Sequence, residues 1–365
     1  MRQNGTVIPA RYRNLSLLLV ALVVALAFAS IALFDDGPSA AQTVTGGGAA
    51  STAKATATAK ATARRVSPPP AIPANGSLYA GVDTGPGNLA LFDTEAGISR
   101  PAILGGYVGI RGQVSDVLGE VTGLLHAGTA PLVSWGVDFT GGTVASGGLD
   151  AYLLQQAREI AAYPGPVFLR PDWEMTGTWY PQWSLPAVTP AAYVAAWRHI
   201  YTLFQRAGAT NAAFVWNPNA GRFGDYPASA WYPGDAYVEW VGVDAYPRSA
   251  TGDSVLTEPD GLNALAKFAA DHGKPVMLAE WGPTLPDPDA VWVFDLVFEW
   301  AARYPDTVKA LVYFDYNSDH GDHLLAHHPV GAAELRYLLG RDKHMLYSVP
   351  ALENGQTVLQ SAGGR

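Results

Sequence analysis

Two glutamates carry the residue types that could do chemistry here. Glu174 lies in the stretch VFLRPDWEMTGTWYPQW (167–183), close in sequence to Trp173, Trp179, Tyr180 and Trp183. An acid walled by aromatic rings is raised in pKa and can still donate a proton near neutrality. The same flat rings offer a sugar's C–H faces somewhere to stack. Glu280 ends the apolar run VMLA and is followed by Trp281. Paired carboxylates at ~5–5.5 Å are the requirement of a double-displacement glycosidase, in which one attacks the anomeric carbon and the other serves as acid and then base. The competing reading makes either Glu an ion-pair partner of Arg170 or Arg222.

The elements that must position this pair alternate regularly. Short apolar strands are predicted at 78–83, 101–109, 131–139, 167–171, 212–218, 238–246, 275–281 and 310–316. Helical spacing fills the gaps: Thr189 and Pro190 open a helix whose stripe of Tyr193, Val194, Trp197, Ile200, Tyr201 and Phe204 runs to Gly208. Helices are also expected over 149–164, 262–273 and 288–304. Eight strands, each followed by a helix or a loop long enough for one, predict a (β/α)8 barrel. An open doubly wound sheet is disfavoured because GVDTGPGN lacks the spacing of a phosphate loop. Reading each strand to its C-terminal edge gives Asp83, Tyr107, Trp135 with Asp138, Arg170 with Glu174, Trp216 with Asn217, Asp244 with Tyr246, Glu280 with Trp281, and Asp315 with Tyr316. In a barrel these converge on one mouth. The expected cleft is walled by Trp179, Trp183, Trp216, Trp281 and Tyr246.

The ends differ from this body. Arg11 and Arg13 precede a predominantly apolar run, Leu15 to Phe34, closed by Asp35 and Asp36. That length spans a bilayer, and the basic flank keeps residues 1–14 in the cytoplasm. A signal peptide cut after Ala27-Phe28-Ala29 competes with an uncut anchor. The anchor is preferred, since the run continues past that point. Residues 35–75, rich in Ala, Thr, Gly and Pro, read as a disordered tether, and 348–365 as a flexible tail. The catalytic body is then 76–347, placed outside the cell on a membrane anchor or secreted. The chain has a formal net charge of −9 and no cysteine. A nucleic-acid partner is therefore not expected, because phosphate binding needs clustered basic residues. A disulfide scaffold or a Cys nucleophile is excluded.

RPDWEMTGTWYPQW resembles the fourth-strand signature of glycoside hydrolase family 26, matching at Arg170, Pro171, Glu174, Met175, Gly177, Trp179 and Trp183. The likeness continues through VWNPN (215–219), WYPGDAYVEWVGVDAY (231–246), KPVMLAEWG (274–282) and VYFDYN (312–317). The family is mostly β-mannanases, with some β-glucanases and xylanases. The resemblance implies a retaining hydrolase with Glu174 as acid/base, Glu280 as nucleophile, Tyr246 hydrogen-bonded to the nucleophile and Trp179 lining a sugar subsite. The chain departs from the signature at Trp173, where the family has His, and at Thr176, where it has Asn.

The expected substrate contacts are thus Trp173, Trp179, Trp183, Trp216, Asn217, Tyr246, Trp281 and Arg170. No cofactor and no metal are expected, and a monomer is. One motif remains outside this scheme. DHGDHLLAHH (319–328) would put His323 and His327 on one helix face, half of a metal site; it reads more readily as a solvated loop. The alternative function is a non-catalytic carbohydrate binder on a hydrolase-like barrel that serves envelope or exopolysaccharide handling.

Overall fold

The computed structural model describes residues 72–349, apart from 86, 125–127, 249–252, 285, 287–290 and 319–320, and the backbone of 352–353 and 356–357. The predicted membrane segment (15–34), the residues before it, most of the tether and most of the tail lie outside the described residues. Among the described residues no helix is long and apolar enough to cross a membrane.

Eight parallel strands run in chain order around a ring: β1 (Leu78–Thr84), β2 (Ile103–Val108), β3 (Ala130–Trp135), β4 (Val167–Pro171), β5 (Ala212–Trp216), β6 (Trp240–Ala245), β7 (Val276–Trp281) and β8 (Val308–Asp315). β8 pairs with β1 through six residues, Tyr79 opposite Ala310 to Thr84 opposite Asp315, and this closes the barrel. Helices α1 (Leu89–Ala96), α2 (Val114–Thr122), α3 (Asp150–Ala162), α4 (Pro190–Ala207), α5 (Asp253–Thr257), α6 (Leu262–Asp271), α7 (Trp292–Arg303) and α8 (Pro329–Arg341) lie between and after the strands. The predicted (β/α)8 barrel is therefore the observed one.

α4 forms where its sequence signals put it. The Thr189 side chain accepts from the Ala192 amide, Pro190 occupies the first turn, and Gly208 ends the helix in a left-handed conformation. Its Tyr193, Trp197, Ile200 and Phe204 face are buried against the barrel. Side-chain alternation along the strands splits the core in two. Tyr79, Ile103, Leu132, Phe168, Val215, Trp240, Met277 and Val312 point inward and plug the ring, while Val82, Leu169, Phe214, Trp216, Val243 and Tyr313 point outward beneath the helices.

Two boundaries move. Ile72 packs on the inner plug, and the Lys309 ammonium donates to the Ala74 carbonyl, so the last residues read as tether belong to the body. Val349 is buried and its amide donates to the Gly128 carbonyl, which carries the body past Tyr347.

Candidate active site

Above the plug, the inward positions turn polar. Asp83 (β1), Tyr107 (β2), Ser134 (β3), Arg170 (β4), Asp244 (β6) and Glu280 (β7) form one connected layer at the strands' C-terminal ends. Arg170, fully buried, is its hub. Its Nη1 donates to both oxygens of Asp244 at 3.0 Å, and its Nη2 to Ser134 Oγ and Glu280 Oε1, each at 2.6 Å. Two further donors reach Glu280: Tyr107 at 2.6 Å on Oε1 and Tyr246 at 2.8 Å on Oε2. Three donors on one carboxyl suit a carboxylate held in a single orientation.

Glu280 owes its aim to a strand irregularity. Met277 and Ala279 face inward, so strict alternation would turn Glu280 outward and Trp281 inward. Instead the register between β6 and β7 slips: Val243 lies opposite Leu278, and the next pair is Asp244 opposite Glu280. The extra residue, Ala279, makes a bulge that swings Glu280 into the mouth. Trp281 is thereby sent outward, packing at 5.7 Å on Phe294 and 5.1 Å on Tyr313.

Glu174 is held differently. It sits in a tight turn after β4 in which Asp172 (φ 44°) and Glu174 (φ 56°) both adopt left-handed backbone. That conformation costs a non-glycine residue ~1–2 kcal/mol, so the surroundings must enforce it. They do. The Glu174 amide donates to the Asn217 carbonyl and the Asp172 amide to Trp135. Asp172 Oδ1 accepts from the Val137 amide at 2.6 Å, and Trp183 Nε1 donates to the Trp173 carbonyl at 2.6 Å. The Glu174 carboxyl accepts from Trp179 Nε1 at 2.7 Å and from the Asn219 amide. Burial first, and the nearby Glu280 charge second, push its pKa up to about 7, against the opposing pull of these donors.

One oxygen each of Glu174, Asp244 and Glu280 lie within 4.8 Å of one another. This trio has the spacing of a cation site, but Arg170 already sets a guanidinium against Asp244 and Glu280. The two glutamates open onto a cavity of about 730 Å3. Tyr107, Trp173, Tyr180, Tyr246, Phe314 and Tyr316 crowd its floor and walls, with Asn219, Thr284 and His323 as polar points. Toward solvent, Trp179 and Phe223 stand edge to face at 5.1 Å, 40% and 50% exposed, an uncovered aromatic rim.

The structure brings together Glu174, Glu280, Trp173, Trp179 and Tyr246 as cleft-lining residues, with Arg170 directly beneath them. Five of the expected contacts lie elsewhere. Trp216 follows inward-facing Val215, so it points under the helices and donates to the Trp231 carbonyl. Trp281 is turned out by the bulge. Trp183 lies behind Trp173 and braces the Glu174 turn. Asn217 faces inward but is sealed below the cleft, bonded to Asp244 at 2.8 Å. Arg170 likewise touches carboxylates and not the cavity.

Tyr107 and Tyr180, expected at the mouth and beside Glu174 but given no role there, also line the cleft, and Asn219, Phe223 and His323 line it without having been expected to. Asn219 extends the β5–β6 pairing beyond Pro218 through a bridge to Asp244, which carries its amide to Glu174. The histidine-rich loop is not simply solvated. His323 and His328 are buried, His323 Nδ1 lies 2.6 Å from the Pro283 carbonyl, and His327 Nδ1 contacts Asp322 at 2.7 Å. His323 and His327 thus have separate partners and do not converge.

Comparison with known proteins agrees with this architecture. Residues 143–320 match the model of glycosyl hydrolase family 26. Endoglucanase H of Acetivibrio thermocellus is 30% identical over 184 residues, covering 48% of this chain and 20% of that protein. The β-1,3-xylanase TXYA of a Vibrio species is 29% identical over 148 residues, covering 38% and 28%. The chain therefore spans well under a third of the length of these curated relatives. Among solved structures, a β-mannanase from Bacteroides ovatus superposes with a TM-score of 0.57 at 17% identity, covering 75% of this chain and 91% of that one. A modular endo-β-1,4-mannanase from Cellulomonas fimi gives 0.58 at 18%, covering 77% and 76%. At such identities the superpositions speak to the fold.

Proposed function

From the chain's membership in glycosyl hydrolase family 26, we infer that it is a retaining glycoside hydrolase acting on a β-linked polysaccharide of the mannan, glucan or xylan kind. The observation that carries this reading is the opposed pair itself. Glu174 and Glu280 approach within 4.8 Å in environments that divide the labour between them. Such spacing leaves no room for a water between carboxylate and sugar, so Glu280 attacks the anomeric carbon directly.

Glu174, holding its proton up to about pH 7, donates it to the departing glycosidic oxygen. The ester formed at Glu280 has no charge. The second cause of Glu174's raised pKa is then gone, and the group becomes a better acid and a competent base toward the incoming water. Water attack on the anomeric carbon returns Glu280 as a carboxylate, with the original configuration restored. Tyr246 and Tyr107 keep Glu280 oriented through both steps. The rim of Trp179 and Phe223 supplies stacking for sugar rings outside the cleavage point. A chain-internal mode of cleavage fits an open rim of this kind.

The non-catalytic binder is not favoured, because a binder has no use for an opposed acid pair. We place the catalytic body outside the cell, carried there by residues 15–34 as an anchor or a cut leader; finding the full chain only in the cytosolic fraction of its host would rule this out.

The decisive assay incubates the protein with β-mannan, mixed-linkage β-glucan and β-1,3-xylan, and follows new reducing ends by NMR. Reducing ends that appear first as the β-anomer are expected from one of the three. The α-anomer appearing first, or a folded protein releasing none from any of them, would overturn the reading.

A further inference from the structure

One buried acid has no part in the chemistry above. Asp83 closes β1 with no exposed surface, and neither of its oxygens makes a hydrogen bond of full geometry. A buried carboxyl without well-formed hydrogen bonds is costly, yet the sequence reserves space for it. Its partner in register on β2 is Gly105, where any Cβ would come within 2.7 Å of the Asp83 carboxyl carbon. The groups that face it are Arg170 from β4, Glu280 from β7, Tyr107 from β2 and Tyr316 beyond β8. Of these, Arg170 Nη2 is 3.9 Å from Oδ2, and that same nitrogen is the one bonded to Glu280.

We propose that Asp83 is a positioning residue, the alternate counter-ion of Arg170, engaged while Glu280 carries the sugar. The inference rests on the reading of Glu280 as nucleophile. With Glu280 ionised, Arg170 is shared between Glu280 and Asp244, and a third adjacent carboxylate would add uncompensated charge. Burial, with the Glu280 charge adding to it, accordingly pushes Asp83 up to about 7, while Arg170, Tyr107 and Tyr316 pull the other way. When Glu280 becomes an ester, Arg170 Nη2 loses its anion and Asp83 loses its neighbouring negative charge. Both changes favour ionised Asp83 paired with Arg170. Any proton Asp83 releases passes to solvent past the facing Tyr107 and Tyr316 hydroxyls. It is regained when water frees Glu280, so the cycle balances. Arg170 stays fixed throughout, and with it Asp244 and the mouth of the barrel.

Two measurements decide this. The first needs no turnover: the carboxyl carbon of Asp83 is titrated by 13C NMR in the wild-type chain and in Glu280→Gln, whose neutral amide stands in for the ester. The expected result is a fall in the Asp83 midpoint of at least one pH unit in the variant; an unchanged or higher midpoint overturns the inference. The second compares wild type with Asp83→Asn on an aryl glycoside with a good leaving group. Breakdown of the glycosyl-enzyme should slow at least tenfold while its formation changes less than threefold, seen as a larger initial burst. A merely structural Asp83 would slow both steps alike, which also overturns the inference. A wild type that cleaves no glycoside at all sinks the hydrolase reading, and the titration still decides the role of Asp83.

Discussion

Glu174 and Glu280 stand on opposite kinds of support. Glu280 ends a strand that is paired on both sides, its direction set by one bulged residue and its carboxyl gripped by Arg170, Tyr107 and Tyr246. Glu174 hangs in a turn of left-handed residues braced from behind by Asp172 and Trp183, with Trp179 and Asn219 as its donors. The rigid, donor-rich position suits a group that must remain charged and aimed at one carbon. The buried turn suits a group that must gain and lose a proton. Two chemically identical side chains thus acquire different work from backbone geometry and donor count.

Removing Glu280 tests the comparison most severely. Glu280→Ala deletes the attacking atom and leaves the Arg170 guanidinium with one fewer anion, so kcat should fall by roughly 10^4-fold or more. Added azide should rescue part of the loss and give product of inverted configuration, because the vacated space admits a small anion from the nucleophile's side. Retained product at wild-type rates would assign the nucleophile elsewhere.

Glu174→Gln should cost roughly 10^2–10^4-fold on a polysaccharide, the usual worth of a positioned acid. On a dinitrophenyl glycoside, whose leaving group needs no proton, formation of the glycosyl-enzyme should be nearly unimpaired, so this variant separates the two carboxyls by role. An equal loss on both substrates would erase the distinction between the two supports. Tyr246→Phe comes next. It takes away one hydrogen bond to a charged oxygen, worth about 1.5–3 kcal/mol, so kcat/KM should drop by about 10- to 100-fold with the fold intact by circular dichroism.

The barrel was legible because strand-and-helix alternation is a repeating signal, and the α4 boundaries because Thr189, Pro190 and Gly208 are local ones. The carboxylate pair was legible because both residues follow short apolar strands. The aromatic lining was less so. Trp216 could have been excluded from the sequence: it adjoins Val215, and neighbouring strand residues face opposite sides. Trp281 could not, since the Ala279 bulge that displaces it is a tertiary accommodation between β6, β7 and β8 with no signature in VMLAEW. Tyr107 stood among the strand-end residues without a role, because its reach to Glu280 crosses the barrel. Asn219 and Phe223 come to the cleft through a loop whose path no periodicity describes.

The smallest effect concerns Trp179, which belongs to both the rim and the acid. Its indole N–H donates to Glu174 Oε2 at 2.7 Å and holds the pKa below where burial and Glu280 would put it. Trp179→Phe keeps a ring beside Phe223 but loses that donor. Because glycosidic cleavage needs protonated Glu174, activity is lost as pH rises through its pKa, near 7 in the wild type. Without the indole the protonated form persists to higher pH, so the alkaline limb of kcat/KM should move upward, by about one unit at most. Below pH 6, where Glu174 is protonated in either protein, the rates should differ by less than about threefold. Trp179→Ala removes ring and donor together, and should add a rise in KM of about fivefold, the worth of ~1 kcal/mol of stacking. An alkaline limb that stays in place or moves down in Trp179→Phe would show that Glu174 does not set it. The acid would then have to be sought elsewhere in the cleft, and not in Asp244, both of whose oxygens already accept from Arg170.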